Sequence, residues 1–305
     1  MKDAQIEIVP SHHINKMKWN ACINNSSNRL IYATSFYLDH ITDNWHGIVV
    51  NDYDCVLPVA WRKKYGIRYC YEVPFTQQLG WFQQQHNIVS KAILLKKLFS
   101  FSKYGDYTFN FKNAETIDSA VACNNYVLDL SRSYNEIKNY YTTDLLNNLK
   151  KANKENFIYA EEGSFETVVD LYQQLYQSRT PHVSNKDFQN FKTLCTFLVK
   201  QKNVIIRKVC NGNNELLSTT LLLKHENRLY NMMNSTTAAG RKTEANHFLF
   251  DCIFREFAGR DMLFDFEGSN IPGIKKFYEK FGAVNQPYFK MHFNQLPFPL
   301  KMLKH

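Results

Sequence analysis

The sequence predicts an α/β (α+β) fold of two similarly built halves, each with a mixed, mostly antiparallel sheet flanked by helices. Three observations lead to this prediction. The chain has 305 residues, which is roughly twice the length of a typical domain. Segments with strand-like alternation follow segments with helical periodicity. The order of these segments in the first half returns in the second half.

The first half begins with a short alternating strand, two helical stretches and a meander of three strands. The meander is rich in Val, Ile, Tyr and Trp, and its turns fall at Asn51-Asp52 and Tyr65-Gly66. An amphipathic helix and two strands complete this half. The predicted strands are 5–9, 46–50, 54–62, 68–73, 107–112 and 125–130, and the predicted helices are 11–25, 35–42 and 88–103.

The second half repeats this order more clearly, with one strand, two helices, a three-stranded meander, and then helix, strand, helix and strand. A helical, lysine-containing connector over 133–156 joins the halves. We therefore expect a first domain at 1–150, including the connector, and a second at 151–305. The predicted strands are 157–161, 204–210, 215–225, 228–235, 262–267 and 288–293, and the helices are 165–179, 186–201, 242–258 and 274–281.

Composition is that of a globular protein, with 44% apolar and 21% charged residues. The net charge of +9 suits an anionic partner such as tRNA, a nucleotide or coenzyme A, although no block of Lys and Arg is present. Seven scattered cysteines without CxxC spacing predict buried thiols in a reducing compartment, and a cytoplasmic location. We expect no membrane span and, because HExxH and Cys/His spacings are missing, no metal.

Two carboxylates lie close together on the predicted strand 262–267. Side chains alternate along a strand, so Asp265 and Glu267 should face the same side. If that side lines a cleft, repulsion and partial burial would raise one pKa and create a general base for an attacking amine. In the alternative, one carboxylate caps the helix that begins near Ile271 and the other pairs with Lys275 or Lys276.

The residues at 277–282, Phe-Tyr-Glu-Lys-Phe-Gly, resemble a signature of the GNAT acetyltransferase family, in which an Asn precedes a helix that ends in Leu-Tyr-Glu-Lys-x-Gly. The element order of each half is also similar to the GNAT fold. The resemblance implies that Tyr278 protonates the departing thiolate of coenzyme A and that Asn270 contacts the cofactor. The alternative for Tyr278 is a residue of an amphipathic helix that packs on the sheet.

GNAT proteins bind pyrophosphate with a glycine-containing loop, Arg/Gln-x-x-Gly-x-Gly/Ala, at the start of the helix after the fourth strand. Bare backbone amides at a helix N-terminus suit a phosphate. Here Arg241 keeps its place, but Glu244 and Asn246 occupy the glycine positions, and a carboxylate there would repel pyrophosphate. We expect Gly240, Arg241 and Lys242 to hold an anionic group by a different geometry.

A second resemblance covers most of residues 125–292. Leu-Asp-Leu-Ser at 128–131, the basic helical turn at 149–154 and Phe-Asp-Phe-Glu-Gly at 264–268 are similar to segments of Fem-like aminoacyltransferases. Those proteins are tandem GNAT folds that move an amino acid from aminoacyl-tRNA to an amine of a cell-wall precursor. The resemblance implies acyl-CoA or aminoacyl-tRNA as the donor.

Four other residues are candidates for weaker roles. Lys150 and Lys154 on the connector helix could meet a phosphate of the substrate, or form a solvated charged face. His182 lies in a loop that should border the cleft, where it could contact substrate or lie on the surface. His247, in the predicted helix 242–258, is better explained as a half-buried imidazole with its hydrogen bonds satisfied.

These observations favour an N-acyltransferase with an amine acceptor, which could be a cell-envelope precursor, and with tRNA as a partner. Asp265 or Glu267 would be the base, Tyr278 the acid, and backbone amides of the strand 228–235 the oxyanion donors. One alternative is a conventional acetyl-CoA N-acetyltransferase. Another is a non-catalytic module that binds RNA or nucleotide-linked ligands. The sequence leaves the oligomeric state open.

Overall fold

The computed structural model of the chain describes residues 4–84, 89–113, 119–268 and 270–303. The chain forms two compact units, one from Met1–Cys123 and Pro287–His305 and the other from Asn124–Gln286. Within the described ranges, no helix is long and apolar enough to cross a membrane.

Residues up to Cys123 form helices and strands in an order close to the predicted one. Asn15 caps the first helix, since its side chain accepts a hydrogen bond from the backbone N–H of Lys18 at 3.2 Å. The elements are β1 (Ile6–Pro10), α1 (Lys16–Asn25), α2 (Ser35–Ile41), β2 (Trp45–Val50), β3 (Cys55–Lys64), β4 (Ile67–Cys70), β5 (Phe82–Gln83), α3 (Lys91–Phe101), β6 (Tyr104–Phe109) and β7 (Val121–Cys123).

The segment Asn124–Gln286 forms the second unit. Its longer helices α6 and α7 are capped by Ser164 and Ser184, whose hydroxyls accept hydrogen bonds from first-turn amides. The elements are β8 (Tyr126–Asp129), α4 (Tyr134–Lys138), α5 (Thr143–Ala152), β9 (Ile158–Glu161), α6 (Phe165–Tyr176), α7 (Asn185–Val199), β10 (Val204–Cys210), β11 (Leu216–His225), β12 (Arg228–Thr236), α8 (Ala238–Lys242), α9 (Ala245–Phe257), β13 (Leu263–Asp265), α10 (Pro272–Glu279) and β14 (Val284–Asn285).

The last strand, β15 (Tyr288–Asn294), returns to the first unit. It pairs antiparallel with β6, from Phe289 opposite Phe109 to Asn294 opposite Tyr104, and with β7 on its other side. The sheet of the first unit has the order β1-β2-β3-β4-β6-β15-β7, and β5 pairs with β3.

The compact units therefore differ from the expected division at residue 150. Strand β8 comes from the first half of the sequence, but it pairs antiparallel with β13 and β14 of the second unit. Strand β15 comes from the second half and completes the sheet of the first unit. Each half of the sequence thus supplies one strand to the other unit's sheet. As a result, 124–150 belong to the second unit and not to the first, and 287–305 belong to the first unit and not to the second.

The core of the second unit is rich in aromatic side chains. Its sheet has the order β14-β8-β13-β12-β11-β10-β9. Phe264 and Phe266 of the β13 segment are fully buried against Phe250 and Phe254 of α9, with ring centroids 5.1 to 5.8 Å apart. Phe281, after α10, joins the same cluster. This packing fixes the end of β13 and the position of α10 relative to the sheet.

Two neighbouring strands of this sheet separate, and their separation positions the site. Strands β12 and β13 are parallel, and their register begins at Arg228 opposite Leu263 and ends at Tyr230 opposite Asp265. Strand β12 nevertheless continues to Thr236. Its ladder with β11 is interrupted at Met232, which has no Cα partner in the register and forms a β-bulge. Beyond Tyr230 the two strands therefore leave space between them.

Candidate functional site

A cavity of about 710 Å³ lies in the second unit, beside the carboxyl ends of β12 and β13. It has an aromatic wall and several polar and charged side chains, as is usual for small-molecule sites. The lining residues are Tyr172, Tyr176, Arg179, Thr180, Asn231, Met232, Asn234, Thr236, Gly240, Arg241, Glu244, Asn246, His247, Phe266, Glu267, Gly268, Ile271, Gly273, Ile274, Phe277 and Tyr278.

Glu267 follows β13 and lies in the cavity wall. Its backbone φ of 58° is in the left-handed region, which a residue other than glycine adopts at an energetic cost. Its backbone N–H donates to Oδ1 of Asp265 at 3.0 Å. Burial raises the pKa of Glu267 to about 8, because the charged carboxylate is desolvated. The carboxyl group is therefore suited to accept a proton near neutral pH.

Asp265 has a different environment and does not line the cavity. It is fully buried, and its Oδ2 lies 2.6 Å from Nη2 of Arg228 and accepts a hydrogen bond from Nε at 2.8 Å. Burial alone would lower the pKa of Arg228, but the facing carboxylate of Asp265 raises it. This buried ion pair stabilises the sheet at the point where β12 and β13 are still paired.

The expectation that Asp265 and Glu267 share one face is therefore corrected. Strand alternation holds as far as Phe266, which packs on α9 on the same side as Phe264, and it stops at Glu267, where the backbone turns into the left-handed region. The alternative in which one carboxylate pairs with Lys275 or Lys276 does not apply to Asp265, whose ion-pair partner is Arg228.

Tyr278 of α10 lies in the same cavity wall as Glu267. Its ring packs against Phe266, with centroids 4.6 Å apart. Burial, with a smaller contribution from the Glu267 carboxylate, raises the pKa of Tyr278 well above its usual range. Among the residues that the structure describes, no group forms a hydrogen bond with its hydroxyl. The hydroxyl is thus a protonated group in the cavity wall.

Asn246 offers a hydrogen-bond donor to the cavity. The side-chain amide of Asn234 donates to the carbonyl of Thr219 at 3.1 Å and to Oδ1 of Asn246 at 3.0 Å. The hydroxyl of Ser218 donates to the same Oδ1 at 2.9 Å. Two donors on Oδ1 fix the orientation of the Asn246 amide. Its Nδ2 has no partner in the described part of the chain and remains a donor at the cavity wall.

Glu244 and His247 form a pair at the start of α9. The helix predicted over 242–258 begins only at Ala245 as α9, because Glu244 has a φ of 60°, and a separate short helix, α8, ends at Lys242. Nδ1 of His247 lies 2.8 Å from Oε2 of Glu244. Burial lowers the pKa of His247, although the Glu244 carboxylate opposes this change. The imidazole is therefore neutral at pH 7, and its Nδ1–H donates to Glu244. His247 is not the fully satisfied imidazole that the sequence suggested, since its Nε2 is buried and has no hydrogen-bond partner among the residues that the structure describes.

Two arginines supply positive charge at the cavity. Arg241 donates from Nη1 to the carbonyl of Thr236 at 2.6 Å, and Arg179 lies over the ring of Tyr176, with its guanidinium carbon 5.5 Å from the centroid.

Gly240 also lines the cavity, and a Cβ there would lie 2.2 Å from the carbonyl oxygen of Leu217. No larger residue fits at this position without a backbone shift.

The other predicted site residues lie elsewhere. Lys242, Lys150, Lys154 and His182 are exposed and outside the cavity lining. Asn270 is outside it too, and its Oδ1 accepts hydrogen bonds from the backbone and side-chain amides of Asn124 at 3.2 and 3.1 Å. It joins the segment before β8 to the segment before α10. The roles predicted for these residues therefore have no support from the cavity geometry.

Sequence reasoning missed Arg179, Asn231 and the donor role of Asn246. Asn231 is buried beside the bulge, where its Oδ1 accepts from the hydroxyl of Thr220 at 2.6 Å. An asparagine between the apolar pairs Leu229-Tyr230 and Met232-Met233 of a strand was a usable signal. Arg179 had none, because it ends a predicted helix like many surface arginines. Groups of three or more metal-ligand side chains do not occur within the ranges that the structure describes.

Comparison with known proteins gives a result for the fold only. No family model matches the sequence, and no curated protein matches it. Among solved structures, FemX is 12% identical, with a TM-score of 0.67 over 97% of this chain and 99% of that chain. A tandem GNAT protein from the clavulanic acid biosynthesis pathway is 10% identical, with a TM-score of 0.54 over 94% of this chain and 98% of that one. L-PGS from Bacillus licheniformis is 11% identical, with a TM-score of 0.53 over 95% of each chain. The predicted resemblance is thus confirmed: the chain has a tandem GNAT-like fold, similar to that of FemX.

Proposed function

We propose that the protein is an N-acyltransferase that moves an acyl or aminoacyl group from an activated donor to an amine in the cavity of the second unit. The observation that carries this proposal is that Glu267 and Tyr278 line one cavity, and that burial raises the pKa of both side chains. One group is thereby suited to accept a proton near neutral pH, and the other keeps its proton.

The chemistry assigns a role to each of these groups. The neutral acceptor amine attacks the donor carbonyl, and the carboxylate of Glu267 takes the proton that the nitrogen loses. A C–N bond forms, and the tetrahedral oxyanion is stabilised by Nδ2 of Asn246 and by backbone N–H near the Met232 bulge. When the C–O or C–S bond of the donor breaks, Tyr278 gives its proton to the leaving oxygen or sulfur. Solvent then carries the proton held by the Glu267 carboxyl group back to the Tyr278 phenolate.

The donor belongs to one of two classes, acyl-CoA or aminoacyl-tRNA. Both carry phosphates, and the two arginines at the cavity, Arg179 and Arg241, have the charge to bind them. Similarity of fold to FemX and to a tandem GNAT protein supports acyl transfer in general and does not choose between the donors. A non-catalytic binding module would be favoured by a Tyr278 buried away from any cavity, and Tyr278 lines one.

The test is a transfer assay with two labelled donors, acetyl-CoA and a tRNA pool charged with radioactive amino acids, and a panel of primary amines. Glu267→Gln is expected to lower kcat by about 10² to 10⁴, which is the usual contribution of a general base. Tyr278→Phe is expected to lower kcat most for the donor with the poorer leaving group.

The chain offers a matched control for each variant. Glu226 also has a left-handed φ, of 50°, but it is exposed in the turn between β11 and β12 and does not line the cavity. Glu226→Gln and Tyr140→Phe, the latter at an exposed tyrosine, should leave turnover unchanged. Full turnover in a correctly folded Glu267→Gln protein would refute the role of Glu267 as the base.

A further inference from the structure

Glu244 occupies a position that favours glycine. Its φ of 60° is left-handed, and the sequence pattern of GNAT proteins has a glycine there. A glutamate keeps this backbone conformation only at an energetic cost, and residues strained in this way are concentrated at functional sites. Glu267, the base of the proposed function, has the same left-handed backbone and lies in the wall of the same cavity as Glu244.

The carboxylate of Glu244 has no lysine or arginine partner in the described part of the chain. The side chain is 26% exposed, and its ion-pair partner in the described part of the chain is His247. Because burial keeps this histidine neutral, the pair retains a net charge of −1. The nearby Lys280 is already paired with Asp144 at 2.6 Å. Arg179 and Arg241 line the cavity but form no ion pair with Glu244 in the ranges described.

His247 adds a second unused acceptor. The residue is only 8% exposed and lines the cavity. Its Nδ1–H donates to Glu244, so the neutral imidazole carries a lone pair on Nε2. Nε2 is buried and has no hydrogen-bond partner among the described residues. The hydrogen-bonding capacity that the pair has left therefore consists of acceptors alone. A ligand that satisfies it brings hydrogen-bond donors, and the carboxylate favours donors that carry a positive charge.

We infer that Glu244 and His247 form a cation subsite that holds a protonated amine of a substrate. The inference rests on the proposed function, because the same cavity is taken to be the reaction site. It replaces the anion subsite that the glycine pattern would form at this position with one of opposite charge. Two substrates could carry the ammonium group: a donor with an amino group on its acyl part, or an acceptor with a second amine.

Binding of matched probe pairs at pH 6 tests the subsite without requiring turnover. At that pH Glu267, with a pKa of about 8, is mostly protonated, so that Glu244 is the charged carboxylate under test. Phenylalanine methyl ester and methyl 3-phenylpropanoate differ only in the ammonium group and represent the donor. Diaminopentane and pentylamine represent the acceptor. Calorimetry or ligand-observed NMR gives the affinity of each.

The wild-type protein is expected to prefer the ammonium-bearing member of one pair by about tenfold, which corresponds to about 1.4 kcal/mol. Glu244→Gln, which keeps a hydrogen-bonding group beside His247, should abolish the preference and leave the affinity of the other member unchanged. Glu244→Gly, which suits the left-handed backbone, is a second variant in case the first misfolds. The pair that shows the preference identifies whether donor or acceptor carries the ammonium.

Two controls separate this inference from the proposed function. Glu267→Gln and Glu226→Gln should both keep the ammonium preference, whatever their turnover. Loss of the preference in Glu267→Gln together with its retention in Glu244→Gln would move the subsite to Glu267 and overturn the inference. Equal affinities within both probe pairs for the wild-type protein would overturn it as well. Loss of transfer in Glu267→Gln bears on the base alone.

Discussion

The carboxylates of Asp265 and Glu267 are separated by one residue and lie in contrasting environments. Asp265 lies where β12 and β13 are still paired, fully buried and bonded to Arg228. Glu267 lies where the strands have separated, and it lines the cavity with a raised pKa. The chemical group is the same, so the difference comes from what the fold places beside it. One carboxylate stabilises the sheet, and the other is held in a costly environment that is useful for proton transfer.

Removal of the Asp265 carboxylate is the largest expected effect on stability. Asp265→Ala leaves the charge of Arg228 buried without its ion-pair partner, and such losses cost about 3–5 kcal/mol. Urea denaturation followed by circular dichroism measures this change. The exposed pair of Lys18 and Asp52, 2.6 Å apart, is the control, and Asp52→Ala should change stability by about 0–1 kcal/mol. A loss of stability for Asp265→Ala as small as that of the control would mean that the ion pair with Arg228 does not stabilise the sheet.

The pH dependence of stability should distinguish Glu267 from Asp265. The folded-state pKa of Glu267, about 8, lies above the ordinary value of 4.5, so between these values the folded state binds more protons than the unfolded state. Wild-type stability should fall, relative to Glu267→Gln, as the pH rises from about 5 through 8. The expected difference at pH 9 is on the order of 1–3 kcal/mol, which is less than the full shift implies because the side chain is partly exposed.

Chemical denaturation at pH 5, 7 and 9 measures this difference. The transfer rate should rise over the same interval, because the base is active as the carboxylate, and the rise should be missing in Glu267→Gln. Parallel stability curves for the two proteins from pH 5 to pH 9 would show that the pKa of Glu267 is not raised, and would remove the main support for its role as the base.

The sequence predicts the element order well and the end of β13 poorly. Periodicity is a local property, so elements such as the strand 204–210 and the helix 186–201 appear in the structure with nearly the predicted bounds. The left-handed backbone at Glu267 and Glu244 is set by tertiary packing, and alternation or helical periodicity continued through both positions in the prediction. The partner of Asp265 is Arg228, 37 residues away, and no local pattern links them.

The exchange of strands between the halves has the same cause. β8 and β15 each have the alternation of an ordinary strand, and the sequence does not state which sheet receives them. Of the site residues predicted between 264 and 282, Glu267 and Tyr278 line the cavity while Asp265 and Asn270 do not. Residue type and spacing thus identified the region, and long-range contacts decided which members face the cavity.

The smallest expected effect concerns the backbone under Glu267. Glycine adopts a φ near 58° without the steric cost that glutamate has, although it loses more entropy on folding. Glu267→Gly should therefore raise the free energy of unfolding at pH 7 by about 0.5–1 kcal/mol while it abolishes transfer. Glu226→Gly relieves the same conformation at an exposed turn and gives the backbone contribution alone. A gain in Glu267→Gly above that of Glu226→Gly would measure the desolvation of the carboxyl group. A net loss would mean instead that the Glu267 side chain stabilises the fold, as Asp265 does, and that the contrast between the two carboxylates is one of degree.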